Sequence, residues 1–148
     1  MNKLVSFELA KLLKEKGFDK KTLSYYFEDG EFRENQIKDT YGYYGDEYVV
    51  ENSEFLENWN DKWLTRKNGD RCFGCQKSKG YLETFSAPTI AEVVMWLYEK
   101  HSIWIEVRKF LNGGFYANTL KGKMLYMDKD SPTESYEAAI EYCLKNLL

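Results

Sequence analysis

Cys72 and Cys75 lie two residues apart in the short sequence RCFGC, and their spacing is the first feature of this chain that suggests chemistry. Two thiolates at this spacing can occupy two positions of a tetrahedral zinc ion. A structural zinc site needs two further ligands, which could come from His101 and Cys143 or from the same cysteine pair of a second chain. Zinc at Cys72 and Cys75 is therefore an alternative that we keep open.

The same cysteine pair could instead act in redox chemistry or form an ordinary turn. A thioredoxin-type pair follows a strand and opens a helix, whereas the loop-like sequence QKSKG follows Cys75 here. We favour a hairpin turn in which the two cysteines have no special role. On this interpretation the chain needs no cofactor, and zinc is the alternative.

A basic segment, residues 62–80, surrounds the cysteines; it holds six basic residues and one acidic residue, a net charge of +5. Basic side chains bind phosphates and aromatic rings stack on bases. This pattern predicts a possible nucleotide or small-ligand site formed by six residues: Arg66, Lys67, Arg71, Phe73, Lys77 and Lys79. A nucleic-acid partner is not favoured, because the whole chain has a net charge of −3 and a pI of about 5.3.

An acidic segment, residues 28–61, precedes the basic one, with eleven acidic and two basic residues and a net charge of −9. The two segments could be solvated faces that attract each other, or the acidic one could imitate the charge of a nucleic acid. Tyrosine is common at interfaces, and an acidic surface attracts a basic partner. We therefore predict a protein-binding surface at Tyr41, Tyr43, Tyr44, Asp46, Glu47 and Tyr48.

Enzymatic chemistry finds little support in this sequence. Its one histidine, His101, would have to serve as the base of any Ser-His or Cys-His pair. No glycine-rich phosphate loop is present. The chain is rich in aromatic residues, with twelve Tyr, nine Phe and four Trp, and this favours a binding surface or an oligomer contact. We predict a non-enzymatic binding protein that forms a homo-oligomer.

Hydrophobic periodicity predicts a first helix over residues 3–16, ended by Gly17 and Phe18, and strands over 22–27 and 81–85. A short helix is predicted over 52–64, with its tryptophans in the core. Thr89 and Glu92 have the spacing of a capping box and predict the start of another helix. Strands over 102–110, 115–120 and 124–127 follow, and Ser131 caps the last helix.

These elements predict an α+β fold, a two-layer sandwich in which helices cover one face of an antiparallel meander sheet. Without a Pro- or Ser-rich linker, the chain is expected to form a single domain, residues 1–148. It would have a helix-strand part over 1–65 and a β-α-β-β-β-α part over 66–148. No apolar run approaches the roughly 18 residues of a membrane helix, and the N-terminus lacks the pattern of a signal peptide. We therefore expect no membrane partner and a cytoplasmic location.

Four stretches resemble a group of uncharacterised small proteins of gut anaerobes, their phages and mobile elements. They are MNKLVSFELAKLLKEKGFD, NWNDKWLTRKNGDRCFGCQKSKGYLETFSAPT, SAPTIAEVVMWLYEKHSIWIEV and SPTESYEAAIEYCLKNLL. The resemblance implies an accessory protein of a phage or integrated element in a bacterial host cell. Such a protein would act by binding a host protein, or by sequestering a nucleotide used in host defence.

Overall fold

The computed structural model describes residues 3–34, 56–61, 63–64, 82–111, 113–119 and 123–148. The chain divides into two compact units. The helical unit comprises Met1–Phe18 and Ala87–Leu148, and the β unit comprises Asp19–Ser86. The described residues contain three α-helices and two antiparallel sheets, so the predicted α+β class is confirmed. The expectation of a single domain over 1–148 stays a prediction.

The first helix, α1, spans Phe7–Glu15 and begins later than the sequence predicts. Ser6 is its cap, with a hydroxyl that accepts a hydrogen bond from Leu9 N at 3.3 Å. The residues before Ser6 are extended because their backbone pairs with residues 88–90. The predicted end is confirmed: Gly17 has a φ of 78°, and Phe18 N donates to Leu13 O at 2.9 Å.

The second helix, α2, spans Ile90–His101 and begins at the predicted capping box. The Thr89 hydroxyl accepts a hydrogen bond from Glu92 N at 3.2 Å, and the Glu92 carboxylate accepts one from Thr89 N at 2.6 Å. Trp96 lies on this helix, and among the described residues it is the largest fully buried side chain. Its ring makes an edge contact with His101, the last residue of α2, at 4.7 Å between centroids. His101 therefore packs on the core at the end of the helix.

A meander follows α2, with strands β5 (Ile105–Lys109), β6 (Phe115–Thr119) and β7 (Lys123–Lys129). The three strands are antiparallel and lie in the order β5-β6-β7. The last helix, α3, spans Pro132–Asn146 and packs across all three strands. Its buried residues include Ile140, Cys143 and Leu144. The predicted meander with helical cover is therefore present in the helical unit.

Ser135 lies in α3, is fully buried, and its hydroxyl has no hydrogen-bond partner among the described residues. An unpaired buried hydroxyl costs about 1–3 kcal/mol, and alanine is also the better helix former. We expect Ser135→Ala to raise the free energy of unfolding by about 1 kcal/mol, as measured by urea denaturation.

Ser131→Ala in the same helix is the matched control, because its hydroxyl caps α3 by accepting a hydrogen bond from Glu134 N at 3.2 Å. Loss of this cap should lower the free energy of unfolding by about 1 kcal/mol. A lower stability for both variants would contradict the assignment of Ser135 as an unsatisfied group.

The β unit contains a four-stranded antiparallel sheet with the order β2-β1-β4-β3. Its strands are β1 (Ser24–Phe27), β2 (Phe32–Glu34), β3 (Trp63–Leu64) and β4 (Leu82–Ser86). Tyr25, Phe27 and Trp59 form its core, with Leu82 packed against them. Trp59 stacks on Tyr25 with 4.2 Å between ring centroids. The core position predicted for Trp59 is confirmed.

The helix predicted over 52–64 is wrong in its described part. Trp59–Asp61 forms one 3-10 turn, and Trp63–Leu64 forms β3. The Asn58 side chain accepts a hydrogen bond from Asn60 N at 3.2 Å and donates one to Asp61 Oδ2 at 2.8 Å. Side chains that bond to nearby backbone in this way compete with a helix. The apolar spacing was helical, but the asparagines favour a turn.

Candidate functional site

A groove of about 410 Å³ lies between α1 and α3 in the helical unit. One wall consists of Ser6, Glu8, Leu9 and Leu12, and the other of Glu134, Glu137, Ala138 and Glu141. Lys129, the last residue of β7, completes the lining. The volume falls within the range of sites that bind small molecules or the anchoring side chains of a partner.

Helical spacing places the α3 wall on one face of that helix. Glu134, Glu137, Ala138 and Glu141 occupy positions i, i+3, i+4 and i+7, which are neighbours on a helix surface. On α1, Glu8 and Leu12 are four residues apart and lie on the same face for the same reason. The groove therefore presents carboxylates from both helices above the aliphatic side chains of Leu9, Leu12 and Ala138.

Three of the four carboxylates already pair with lysines. Glu137 pairs with Lys3 at 3.2 Å and Glu8 with Lys11 at 2.7 Å. Glu141 pairs with Lys145, four residues further along α3. The lysine side chains are 38–57% exposed, and exposed ion pairs contribute only about 0.2–1 kcal/mol each. A better-oriented cation from a partner can therefore replace them.

Glu134 differs from the other carboxylates of the groove. The sequence predicts that it closes a capping box with Ser131, and its backbone N–H does bond to the Ser131 hydroxyl. Its carboxylate, however, makes no hydrogen bond or ion pair with any described residue. It lines the groove as an exposed negative charge that a partner can contact without breaking an existing interaction.

The lining consists of four carboxylates, three aliphatic side chains, one hydroxyl and one lysine. Ser6 is the one hydroxyl among them, and it is engaged in capping α1. The carboxylates above an aliphatic floor suit a long side chain with an apolar stem and a cationic head, as in lysine and arginine. Arginine fits better because its guanidinium can bond two carboxylate oxygens at once.

The three sites predicted from the sequence lie outside the described residues. This applies to the tyrosine-rich surface of Tyr41, Tyr43, Tyr44, Asp46, Glu47 and Tyr48. It also applies to the ligand residues Arg66, Lys67, Arg71, Phe73, Lys77 and Lys79 and to the metal candidates Cys72 and Cys75. All three sites stay predictions.

Cys143, a candidate for a further zinc ligand, lies fully buried on α3. Desolvation by this burial raises the pKa of its thiol to about 11. The thiol is therefore protonated at neutral pH and packs as a small apolar side chain, as its place on the apolar stripe of α3 predicts. Within the part of the chain that the structure describes, no three His, Cys, Asp or Glu side chains are grouped to hold a metal ion.

Comparison with protein-family models, with curated proteins and with solved structures finds no match to this chain. None of the helices in the described ranges combines the length and the apolar character that crossing a membrane requires.

The groove was not predicted from the sequence, although the pattern of one of its walls is visible there. The spacing of Glu134, Glu137 and Glu141 marks an acidic face on α3. Acidic faces on helices are usually solvated, so this face alone does not indicate a binding site. Its position opposite Leu9 and Leu12 depends on the packing of two helices from opposite ends of the chain, which local pattern does not reveal.

Proposed function

We propose that this chain is a non-enzymatic binding protein that takes a basic, amphipathic segment of a protein partner into the groove between α1 and α3. The spare carboxylate of Glu134 at the edge of an apolar floor is the observation that carries the proposal. The resemblance to proteins of phages and mobile elements favours a host protein as the partner. The chain would then act as an accessory protein inside the bacterial host cell.

Both the apolar and the charged parts of the groove favour such a partner. Leu9 is 5% exposed and leaves only a shallow aliphatic floor, which suits the stems of long side chains rather than a large ring. Glu134 supplies the carboxylate that attracts a cation, since the other three are paired with lysines and Lys129 also lines the groove. An amphipathic helix that carries arginine and leucine three or four residues apart presents this combination on one face.

Titration of the isotopically labelled full chain with a synthetic helical peptide tests the proposal. The peptide repeats leucine and arginine at helical spacing, and a second peptide has glutamate in place of each arginine. We expect the arginine peptide to shift the backbone amide signals of residues 6–12 and 134–141, and the glutamate peptide to leave them unchanged. Added salt should weaken the binding, because exposed charges are screened.

Glu134→Gln should weaken the arginine peptide about tenfold, because it removes a charge-assisted hydrogen bond and leaves the helix intact. Glu28→Gln is the control, since it removes the same charge from an exposed position in the β unit. Equal affinity for the wild-type chain and Glu134→Gln would contradict the proposal. Signal shifts confined to residues outside the two groove walls would contradict it as well.

A further inference from the structure

Lys3 differs from the other two lysines that pair with carboxylates of the groove. Lys11 and Lys145 each pair with a glutamate of their own helix, three and four residues away. Lys3 lies in the extended segment before α1, and its Nζ bonds to Glu137 Oε2 on α3 at 3.2 Å. It therefore brings a cation to the groove from outside both walls.

Hydrogen bonds of the main chain hold Lys3 in this position. Its carbonyl oxygen accepts a bond from the N–H of Ile90, the first residue of α2, at 2.9 Å. Val5 N, two residues further along, donates to Pro88 O at 3.0 Å. Neither bond involves the Lys3 side chain, so the segment stays in place when the ammonium leaves Glu137. The ammonium then remains close to Glu137, with a high effective concentration that favours its return over a free cation.

Glu137 is the least exposed of the three paired carboxylates. Its side chain is 24% exposed, against 78% for Glu8 and 51% for Glu141. Lys3 bonds to one of its two oxygens. An arginine that takes both oxygens of a carboxylate in the usual bidentate geometry must therefore displace Lys3 before it can bind Glu137 in this way.

The position of Glu137 beside Glu134 gives this competition a consequence for the whole groove. The two residues are three positions apart on α3, so they are neighbours on the helix surface. The Glu134 carboxylate makes no hydrogen bond or ion pair with any described residue. A guanidinium has five N–H donors and can bond to both neighbours at once. While Lys3 occupies Glu137, only Glu134 is fully available to it.

We propose that Lys3 forms an autoinhibitory contact in the groove, as an internal cation that competes with an arginine of the partner for Glu137. This inference rests on the proposed function, because it concerns the regulation of the same groove. The groove then has two states, which differ in whether Glu137 is bound to Lys3 or available beside Glu134. Lys129 lines the groove in both states and makes no ion pair with a described residue.

Lys3→Met tests the proposal, because methionine keeps an unbranched apolar side chain and removes the ammonium. The labelled full chain is titrated with the same arginine peptide, and the amide signals of residues 6–12 and 134–141 report binding. We expect the Kd to fall about two- to fivefold, the range that corresponds to loss of an exposed ion pair. Lys21→Met is the control, since it removes the same charge from an exposed position in the β unit, and it should leave the Kd unchanged.

A second pair of chains tests whether Lys3 acts through Glu137. In a chain that already carries Glu137→Gln, the carboxylate for which Lys3 competes is absent. Adding Lys3→Met to that chain should therefore no longer strengthen the binding of the peptide. A general effect of the positive charge would persist in this background, so an equal gain with and without Glu137→Gln would overturn the proposal.

The side chain of Lys3 reports the displacement directly. In the wild-type chain, the arginine peptide should shift the NMR signals of the Lys3 ε-methylene group and leave those of Lys21 unchanged. A peptide that binds the wild-type and Lys3→Met chains with equal affinity would overturn this inference and leave the proposed function intact. A peptide that binds neither chain would overturn both.

Discussion

Trp96→Ala is expected to lower the free energy of unfolding of the helical unit by about 3–5 kcal/mol. Trp96 is fully buried, and its ring contacts that of Phe18 edge-on with 5.3 Å between centroids. The His101 ring contacts it from the end of α2. Truncation leaves a cavity among these rings that the helix ends cannot fill, because the Phe18 backbone is fixed by its bond to Leu13.

This decrease in the free energy of unfolding is large compared with the total of roughly 5–15 kcal/mol for a typical domain. Urea denaturation followed by circular dichroism measures it. Met95→Ala is the control, because Met95 precedes Trp96 on α2 and is 45% exposed. The free energy of unfolding of the Met95→Ala variant should fall by no more than about 0.5 kcal/mol. Comparable losses for the two variants would show that Trp96 does not organise the core.

Trp59→Ala is expected to have a similar effect on the β unit, again about 3–5 kcal/mol. Trp59 is 2% exposed and stacks on Tyr25. Its Nε1–H donates to Thr22 O at 2.8 Å, and its backbone oxygen accepts a bond from the Thr84 hydroxyl at 2.6 Å. Trp59 therefore joins β4 and the segment before β1 through packing and hydrogen bonds together.

Trp59→Phe separates these contributions, because a phenyl ring keeps part of the stack and loses the N–H donor. The buried Thr22 oxygen then loses the hydrogen bond from the indole and keeps the one from Glu57 N at 3.2 Å, so we expect a loss of about 0.5–1.5 kcal/mol for the missing bond. Leu23→Ala, at a position that is 51% exposed, is the control and should change stability by less than about 0.5 kcal/mol.

Amide hydrogen exchange shows which unit each tryptophan supports. Trp59→Ala should speed exchange in β1 and β4 more than in α2, and Trp96→Ala should do the reverse. Uniform acceleration across both units in either variant would contradict the assignment of the two tryptophans to separate cores.

The elements with strong local signals were predictable from the sequence. The box of Thr89 and Glu92, the cap of Ser131 before Pro132 and the glycine at 17 each satisfy backbone groups at a helix end, so they mark that end directly. The alternation in β5 and the glycine pair after it similarly define the meander. These signals act over a few residues and do not depend on the rest of the fold.

Features that depend on distant contacts were not predictable. The start of α1 was placed too early because Lys3–Val5 bonds to residues 88–90 instead of forming a first helical turn. Likewise β4 pairs with β1, and the hydrophobic pattern of the sequence does not reveal this pairing. The wrong prediction of a helix around Trp59 has a different cause. The apolar residues there have helical spacing, but the side chain of Asn58 makes hydrogen bonds that favour a turn.

The groove illustrates the same limit for function. Its glutamates are visible in the sequence, but the capping-box pattern assigns Glu134 a structural role that its carboxylate does not fulfil. The apolar floor comes from α1, whose Leu9 and Leu12 read as ordinary core positions. Only the packing of α1 against α3 turns these side chains into one surface.

The helical unit is assembled from two stretches that are separated in the chain by the whole β unit. Ribosomes release the N-terminus first, so α1 emerges well before Pro88 and Ile90, to which Val5 and Lys3 bond at 3.0 and 2.9 Å. Closing so long a loop is slow compared with forming local contacts. The β unit, whose chain is continuous, can fold during this interval. The apolar stripe of α1 therefore stays accessible to chaperones until α3 has been synthesised.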